Sequence, residues 1–235
     1  MDAAGKRWVI TGGGSGIGLA VARLAAERGA SEVVLLGRNE DRLRKAASLV
    51  GPVASIKCLD VADSSEVENA FSSIGRFDHL VTSAAGIVIG PFIELDEAAF
   101  RDFFEVKFWG QYRAVRAGLP HIAREGSITL LSGYLYRKPE PGFSAFAAVN
   151  GAIEALVKTL AREIAPVRIN ALAPGQIDTL GDYIGAEANE ARRAACAATL
   201  PVQRIGTPED AAHAVLFFAE NGFTTGTTLD VDGGQ

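Results

Sequence analysis

The run Thr11-Gly12-Gly13-Gly14-Ser15-Gly16-Ile17-Gly18 constrains this chain more than any other. It follows an apolar, β-rich stretch at residues 8–11 and opens a segment with helical periodicity. Without a Cβ, glycine lets the backbone turn sharply, approach a pyrophosphate closely and pack the helix against the strand. The first N–H groups and the positive end of the helix dipole then face the anion. A mobile glycine-rich hairpin is the alternative, but a place between the first strand and the first helix favours a dinucleotide.

The rest of the chain repeats that alternation. Short β-rich runs recur at residues 8–11, 32–36, 53–58, 79–82, 127–131, 168–171 and 228–231, with helical segments between most of them. One such segment ends at Gly29, placed as a helix C-cap; another starts at Thr207-Pro208-Glu209-Asp210, with a cap, a first-turn proline and acids at the positive end of the dipole. Alternation of this kind implies a doubly wound, mostly parallel α/β sheet of Rossmann type with helices on both faces. Residues 1–235 carry no linker-like or low-complexity tract and read as a single domain. The Ala-, Gly- and Glu-rich residues 177–203 are the least regular part and read as a helical insertion or lid near the ligand.

Charge and cysteine usage narrow the partners. A formal net charge of −5 offers no basic excess for a phosphate backbone, so nucleic acid is not expected and a small molecule is. Cys58 and Cys196 are the only cysteines, and neither has metal-ligand spacing; no metal is expected, and free thiols suit a reducing cytoplasm. Neither a signal-peptide pattern nor an apolar run of about 20 residues is present, so no membrane association is expected.

The glycine spacing, Gly-x-x-x-Gly-x-Gly after Thr11, resembles the signature of the short-chain dehydrogenase/reductase family, and the resemblance extends over nearly the whole chain. Asp60-Val61 looks like the family's adenine-contacting Asp-Val. Ser83-Ala84-Ala85-Gly86 looks like its Asn-Asn-Ala-Gly segment, with Ser for the first Asn. Pro174-Gly175 with Ile177 and Thr179 resembles the loop over the nicotinamide carboxamide, and Arg204 to Asp210 and Asp230 to Gly234 match the C-terminal pattern. The resemblance implies an oxidoreductase that binds a nicotinamide dinucleotide and assembles as a homodimer or homotetramer. The second strand ends Gly37-Arg38-Asn39, where an acid would bond the free ribose hydroxyls and repel a 2′-phosphate, whereas Arg38 can accept that phosphate. NADP(H) is therefore the expected cofactor, with Arg38 and Asn39 at its adenosine end.

The family's catalytic pattern, in contrast, is broken. Its reductases carry an Asn on the central helix, a Ser after the fifth strand, and a Tyr and Lys one helical turn apart. The Tyr hydroxyl gives a proton to the developing alkoxide, and the Lys charge lowers that hydroxyl's pKa. Here Phe146 stands for the Tyr, Asn150 for the Lys and Lys107 for the Asn, while the Ser position falls on Gly133 with Ser132 adjacent. The stretch from Tyr134 to Lys138 has the Tyr-x-x-x-Lys spacing, but it follows a strand and is closed by Pro139 and Pro141, so a loop is expected. Lys107 and Asn150 look like an exchange of the same two groups between neighbouring helices. On that reading the Lys107 ammonium restores the positive charge by the nicotinamide ribose and Asn150 bonds its hydroxyls; a solvated Lys107 is the plain alternative.

Three functions compete. The first is NADPH-dependent reduction of a carbonyl or activated alkene (or oxidation of an alcohol), with a proton from Tyr134, Ser132, Lys107 or water. The second is a sensor that binds NADP(H) without turning it over, and the third is a subunit that mainly supplies an oligomer interface. Pocket walls at residues 87–92, 134–143 and 177–184 are apolar and aromatic, which suggests a small apolar substrate.

Overall fold

In a computed structural model that describes residues 3–179 and 185–235, seven parallel strands form one sheet. They are β1 (Arg7–Thr11), β2 (Glu32–Gly37), β3 (Ala54–Cys58), β4 (Phe77–Thr82), β5 (Ile122–Leu131), β6 (Arg168–Pro174) and β7 (Thr228–Val231), in the order β3-β2-β1-β4-β5-β6-β7. Along each inner strand, alternate residues enter opposite cores because the side-chain period is two. Trp8 and Ile10 join one core while Val9 joins the other; Val33 and Leu35 are likewise separated from Val34 and Leu36. Both faces are apolar, so both must be covered by helices.

One layer contains α1 (Gly16–Glu27), α2 (Glu40–Val50) and, late in the chain, α8 (Pro208–Glu220). The other contains α3 (Ser64–Ile74), the kinked pair α4 (Glu97–Phe104) and α5 (Gly110–Gly118), and α6 (Ser144–Glu163). A further helix, α7 (Ala186–Thr199), occupies most of the irregular segment expected near the ligand; residues 180–184 of that segment lie outside the described residues.

The expected helix signals have local causes that the structure displays. After α1, Gly29 adopts φ +84°, its N–H bonds the Ala26 carbonyl, and the Ala30 N–H reaches back to Ala25. Thr207 and Asp210 close a capping box on α8, with Pro208 in the first turn. Between α4 and α5, residues Glu105–Trp109 form a π-helical turn, a feature the periodicity did not announce. Two expected strands begin early: β4 at Phe77 and β5 at Ile122. Their pairing shifts register between Phe77 and His79, which breaks the regular alternation a sequence pattern relies on. Strand order reverses between β1 and β4, and the C-terminal ends flanking that point are where such sheets hold ligands.

Candidate active site

The turn after β1 is shaped by contacts that only glycine permits. Gly12 has φ +69°, and a Cβ there would lie 2.6 Å from the Ala84 nitrogen; a Cβ on Gly18 would lie 2.5 Å from the Gly12 carbonyl oxygen and 2.6 Å from Ser83 Oγ. The phosphate turn, the first helix and the segment after β4 thus meet backbone to backbone at the switch point. Ser83 N–H donates to the Thr11 carbonyl at 3.0 Å, while Ala85 and Gly86 continue away from the turn, Gly86 toward Phe103. Ser15 is the N-cap of α1 but makes no side-chain capping bond, which leaves first-turn donors to a ligand. Thr179 lies over this helix start: its Cγ2 is 3.4 Å from where a Gly16 Cβ would be. Ser15, Gly16, Arg42 and Thr179 line a cleft of about 300 Å³, and Gly14 packs on the Arg42 side chain.

The loop carrying Thr179 is held firmly. Pro174 pairs with Val231, Gly175 N–H donates to the Val231 carbonyl, and a Cβ on Gly175 would collide with Asp232 Cα at 2.6 Å. Ile177 forms a parallel bridge with Gly206.

At the other end of the groove Arg38 is exposed and sits 3.8 Å from Asp60, beside a depression of about 720 Å³ that Lys57 and Asp60 also line. A pair this long and this exposed contributes little to stability. Asp60 also accepts the Ala62 N–H, and Val61 packs on Gly110 of α5. Asn39 caps α2 through its Oδ1, which accepts the Arg42 N–H, so that oxygen is committed to the helix.

The three side chains that sequence spacing aligns with the family's catalytic positions, Lys107, Phe146 and Asn150, lie near the end of β5. The π turn brings Lys107 inward, 7% exposed, where its Nζ donates to the Ser132 carbonyl at 2.9 Å and stands 5.8 Å from the centre of the Phe146 ring. Burial lowers its pKa to about 8. The expectation of a solvated Lys107 is therefore set aside by its position. Gln111 fixes the turn: its Nε2 donates to the carbonyls of Lys107 and Leu131, and its Oε1 accepts from Thr82 and the Leu131 N–H. Phe146 packs against Phe103 and Phe143, in keeping with a ring that has no proton to give. Asn150 is 1% exposed, and neither its Oδ1 nor its Nδ2 has a partner. A Cβ on Gly133 would lie 2.7 Å from that Nδ2, so no side chain fits at position 133 without displacing Asn150.

Ser132 turns the other way. Its hydroxyl donates to Glu154 Oε1 at 2.9 Å, and Glu154 is in turn paired with Arg137, which also binds Asp230. This network, buried at Ser132 and Glu154 and open to solvent at Asp230, anchors the turn after β5; the Ser132 hydroxyl also reaches the Asn150 carbonyl at 3.3 Å, but its nearer acceptor is the Glu154 carboxylate. Where a loop was expected, Tyr134 to Tyr136 form one short 3₁₀ turn, which ends before Lys138. Tyr134 is 6% exposed; its hydroxyl donates to Glu140 at 3.1 Å and accepts from Gln176 Nε2 at 3.0 Å. Burial pushes its pKa up to about 12, against the hydrogen bond from Gln235 and with the Glu140 charge adding to the rise. Gln111, Glu154, Gln176 and Glu140 were not singled out from sequence. Gln111 could have been, because it lies one helical turn beyond Lys107 on the same face.

The chemistry of these donors fits a nicotinamide dinucleotide. Glycine contacts leave room for a pyrophosphate, and the unpartnered Asn150 amide beside a single-bonded Lys107 ammonium calls for a polar ligand such as a ribose diol. Among the described residues no group of three or more His, Cys, Asp or Glu could hold a metal, and no helix is long and apolar enough to cross a membrane.

Fold, switch point and glycine turn together define a dinucleotide-binding α/β protein. Residues 12–235 match the family described as enoyl-(acyl carrier protein) reductase. A putative ketoacyl reductase 2 of the granaticin polyketide synthase from Streptomyces violaceoruber is 34% identical, over 96% of this chain and 94% of that one. A 3-oxoacyl-[acyl-carrier-protein] reductase from Rickettsia prowazekii is 30% identical, over 100% of this chain and 98% of its own. The crystal structure of a small-chain dehydrogenase in complex with NADPH superposes with a TM-score of 0.84 at 33% identity, covering 97% of each chain. The chain belongs to the short-chain dehydrogenase/reductase family, whose members are oxidoreductases that use NAD(P)(H).

Proposed function

We propose that this protein is an NADP(H)-dependent oxidoreductase acting on a small apolar carbonyl, alcohol or activated alkene, with Lys107 and Asn150 serving in place of the family's Lys and Asn. The observation that carries this reading is the Asn150 amide: buried, unpartnered, and across the end of β5 from a buried lysine. An amide in that state is costly unless a ligand satisfies it. Bound at the glycine turn, the dinucleotide would supply or accept hydride. Gly12, Ser15, Gly16, Ile17 and Gly18 would hold its pyrophosphate, Asp60 and Val61 would meet its adenine, and Arg38 would bind a 2′-phosphate. Ser83, Ala84, Ala85 and Gly86 would border it at the switch point, and Pro174, Gly175, Ile177 and Thr179 at the carboxamide end. The solved relative with NADPH supports the choice of that cofactor.

Of the side chains able to exchange a proton there, Ser132 is committed to Glu154, whereas Tyr134, buried and hydrogen-bonded to Glu140, Gln176 and Gln235, carries its hydroxyl beside Gln176 of the loop after β6. Tyr134 is accordingly the group assigned to the substrate oxygen, and Lys107 the group that supplies positive charge. Residues 177–179 and 185–203, with α7, would cover the ligand. Exposed Ile87, Ile89 and Phe92 near the Gly90–Gly142 backbone bond support an apolar substrate. A ladder of rings from Phe100 through Phe104 and Phe108 to exposed Trp109 supports self-association as a homodimer or homotetramer.

Calorimetric titration with NADPH and NADH, followed by turnover against ketone, ketoester and enone panels, tests the reading. Tight NADPH binding with turnover is the expected result. Tight binding without hydride transfer to any acceptor would make the protein a cofactor sensor instead, and indifference to both cofactors would remove either role.

A further inference from the structure

Tyr134 keeps its only proton on Glu140, and the reason lies outside its own turn. Arg192 of α7 donates through Nη1 to Gln176 Oε1 at 3.1 Å and through Nη2 to the Ile177 carbonyl at 2.7 Å. A guanidinium can only donate, so the Gln176 oxygen must face Arg192 and its NH₂ must face Tyr134. The Tyr134 oxygen accepts that N–H and a second hydrogen bond from the Gln235 amide, whose place a substrate oxygen would take, and it is left to donate to Glu140. Glu140 lies on the exposed loop, with Gln235 Nε2 at 3.4 Å from the same carboxylate oxygen. The nearby cations are engaged elsewhere, Arg137 with Glu154 and Asp230, and Lys138 with Asp232.

We infer that Tyr134 and Glu140 form a proton relay between the substrate oxygen and bulk water, with Gln176, oriented by Arg192, as the residue that sets its direction. This rests on the oxidoreductase reading above. In the oxidising direction the alcohol O–H breaks as the Tyr134 oxygen takes that proton; the existing Tyr134 O–H breaks as Glu140 takes its proton and passes it to water. The carbon-bound hydride goes to the oxidised nicotinamide dinucleotide. In reduction each transfer reverses, with water protonating Glu140. The relay explains how a phenol with a pKa near 12 can serve at neutral pH: it never has to exist as a free phenolate.

The ground-state wiring is tested without cofactor. With 3,5-difluorotyrosine placed at position 134, whose electron-poor ring titrates while the protein stays folded, ¹⁹F NMR follows the phenol. Glu140→Gln should lower its pKa by removing a negative neighbour, and Gln176→Leu should raise it by removing a donor to the phenolate; Arg192→Ala should raise it less. A merely structural Gln176 would leave the titration unmoved, and unchanged pKa values in both Gln176→Leu and Glu140→Gln would overturn the inference. In turnover, Glu140→Gln should lower kcat about 10-fold or more with KM little changed, in line with loss of a proton-transfer group. Parental kcat in Glu140→Gln sinks the relay alone, while a parent that never turns over sinks the oxidoreductase reading with it, and this shows before any variant is made.

Discussion

The Lys107 ammonium stands 5.8 Å from the centre of the Phe146 ring, so a buried cation lies over an aromatic face. Because burial takes the Lys107 pKa from 10.5 to about 8, the unfolded chain holds a proton between those values that the native state lacks. Stability of the free protein should therefore rise as pH climbs through that window, the burial penalty being fully present below it. Cofactor affinity should move oppositely, falling above about pH 8 as the charge disappears. Lys107→Met should abolish both slopes. Urea denaturation and calorimetric titration across pH 7 to 10.5 measure them, and parallel slopes in the variant would contradict the assignment.

Asn150 gives a sharper contrast between structure and function. Its amide is buried with no partner, so Asn150→Leu, which keeps the branched shape, removes a polar group without breaking a bond. The free protein should gain roughly 1–3 kcal/mol, the usual penalty for an unpaired buried polar group. The rise in Tm on adding NADPH should vanish. A structural asparagine would behave in the reverse way, destabilising on substitution and leaving the ligand shift intact.

At the adenosine end, Arg38 is paired only loosely with Asp60, and Gly37 before it carries no acid. Arg38→Ala should weaken NADPH binding about 10- to 100-fold, the equivalent of one charge-assisted hydrogen bond, and leave NADH unchanged. Gly37→Asp should reverse the preference. Competitive binding of the two cofactors reads both effects, and equal losses for NADPH and NADH would take the 2′-phosphate away from Arg38.

How far the sequence carried the reading depends on the range of each interaction. All seven strands were legible because apolar runs flanked by helical periodicity are local signals, and Gly29 and Thr207 marked helix ends for the same reason. Strand starts at Phe77 and Ile122 were hidden by an irregular pairing that only the partner strand reveals. Spacing put Phe146 and Asn150 one turn apart on a helix, as α6 shows, yet the inward turn of Lys107 was not legible, since it depends on a π turn pinned by Gln111 against β4 and β5. Nothing local could show that Ser132 gives its proton to Glu154, or that Gln176 reaches Tyr134 from a different strand end.

The glycine turn allows a test that separates shape from stability. Gly18 does not have a positive φ, so alanine is conformationally acceptable there, but its Cβ would meet the Gly12 carbonyl and Ser83 Oγ at 2.5 and 2.6 Å. The nearest of these atoms is backbone that belongs to the phosphate turn itself, so relief means moving the turn. Gly18→Ala should cost about 1–3 kcal/mol, as overpacking does, and should remove cofactor binding. Gly75 is the control: nothing lies within 4 Å of a Cβ there, so alanine meets only the strain of a φ of +69° with ψ −148°, a combination that glycine alone adopts readily, about 1–3 kcal/mol. Two variants of similar stability loss should thus differ entirely in NADPH binding. If Gly18→Ala bound the cofactor as Gly75→Ala does, the close approach at the turn would have no part in holding a pyrophosphate.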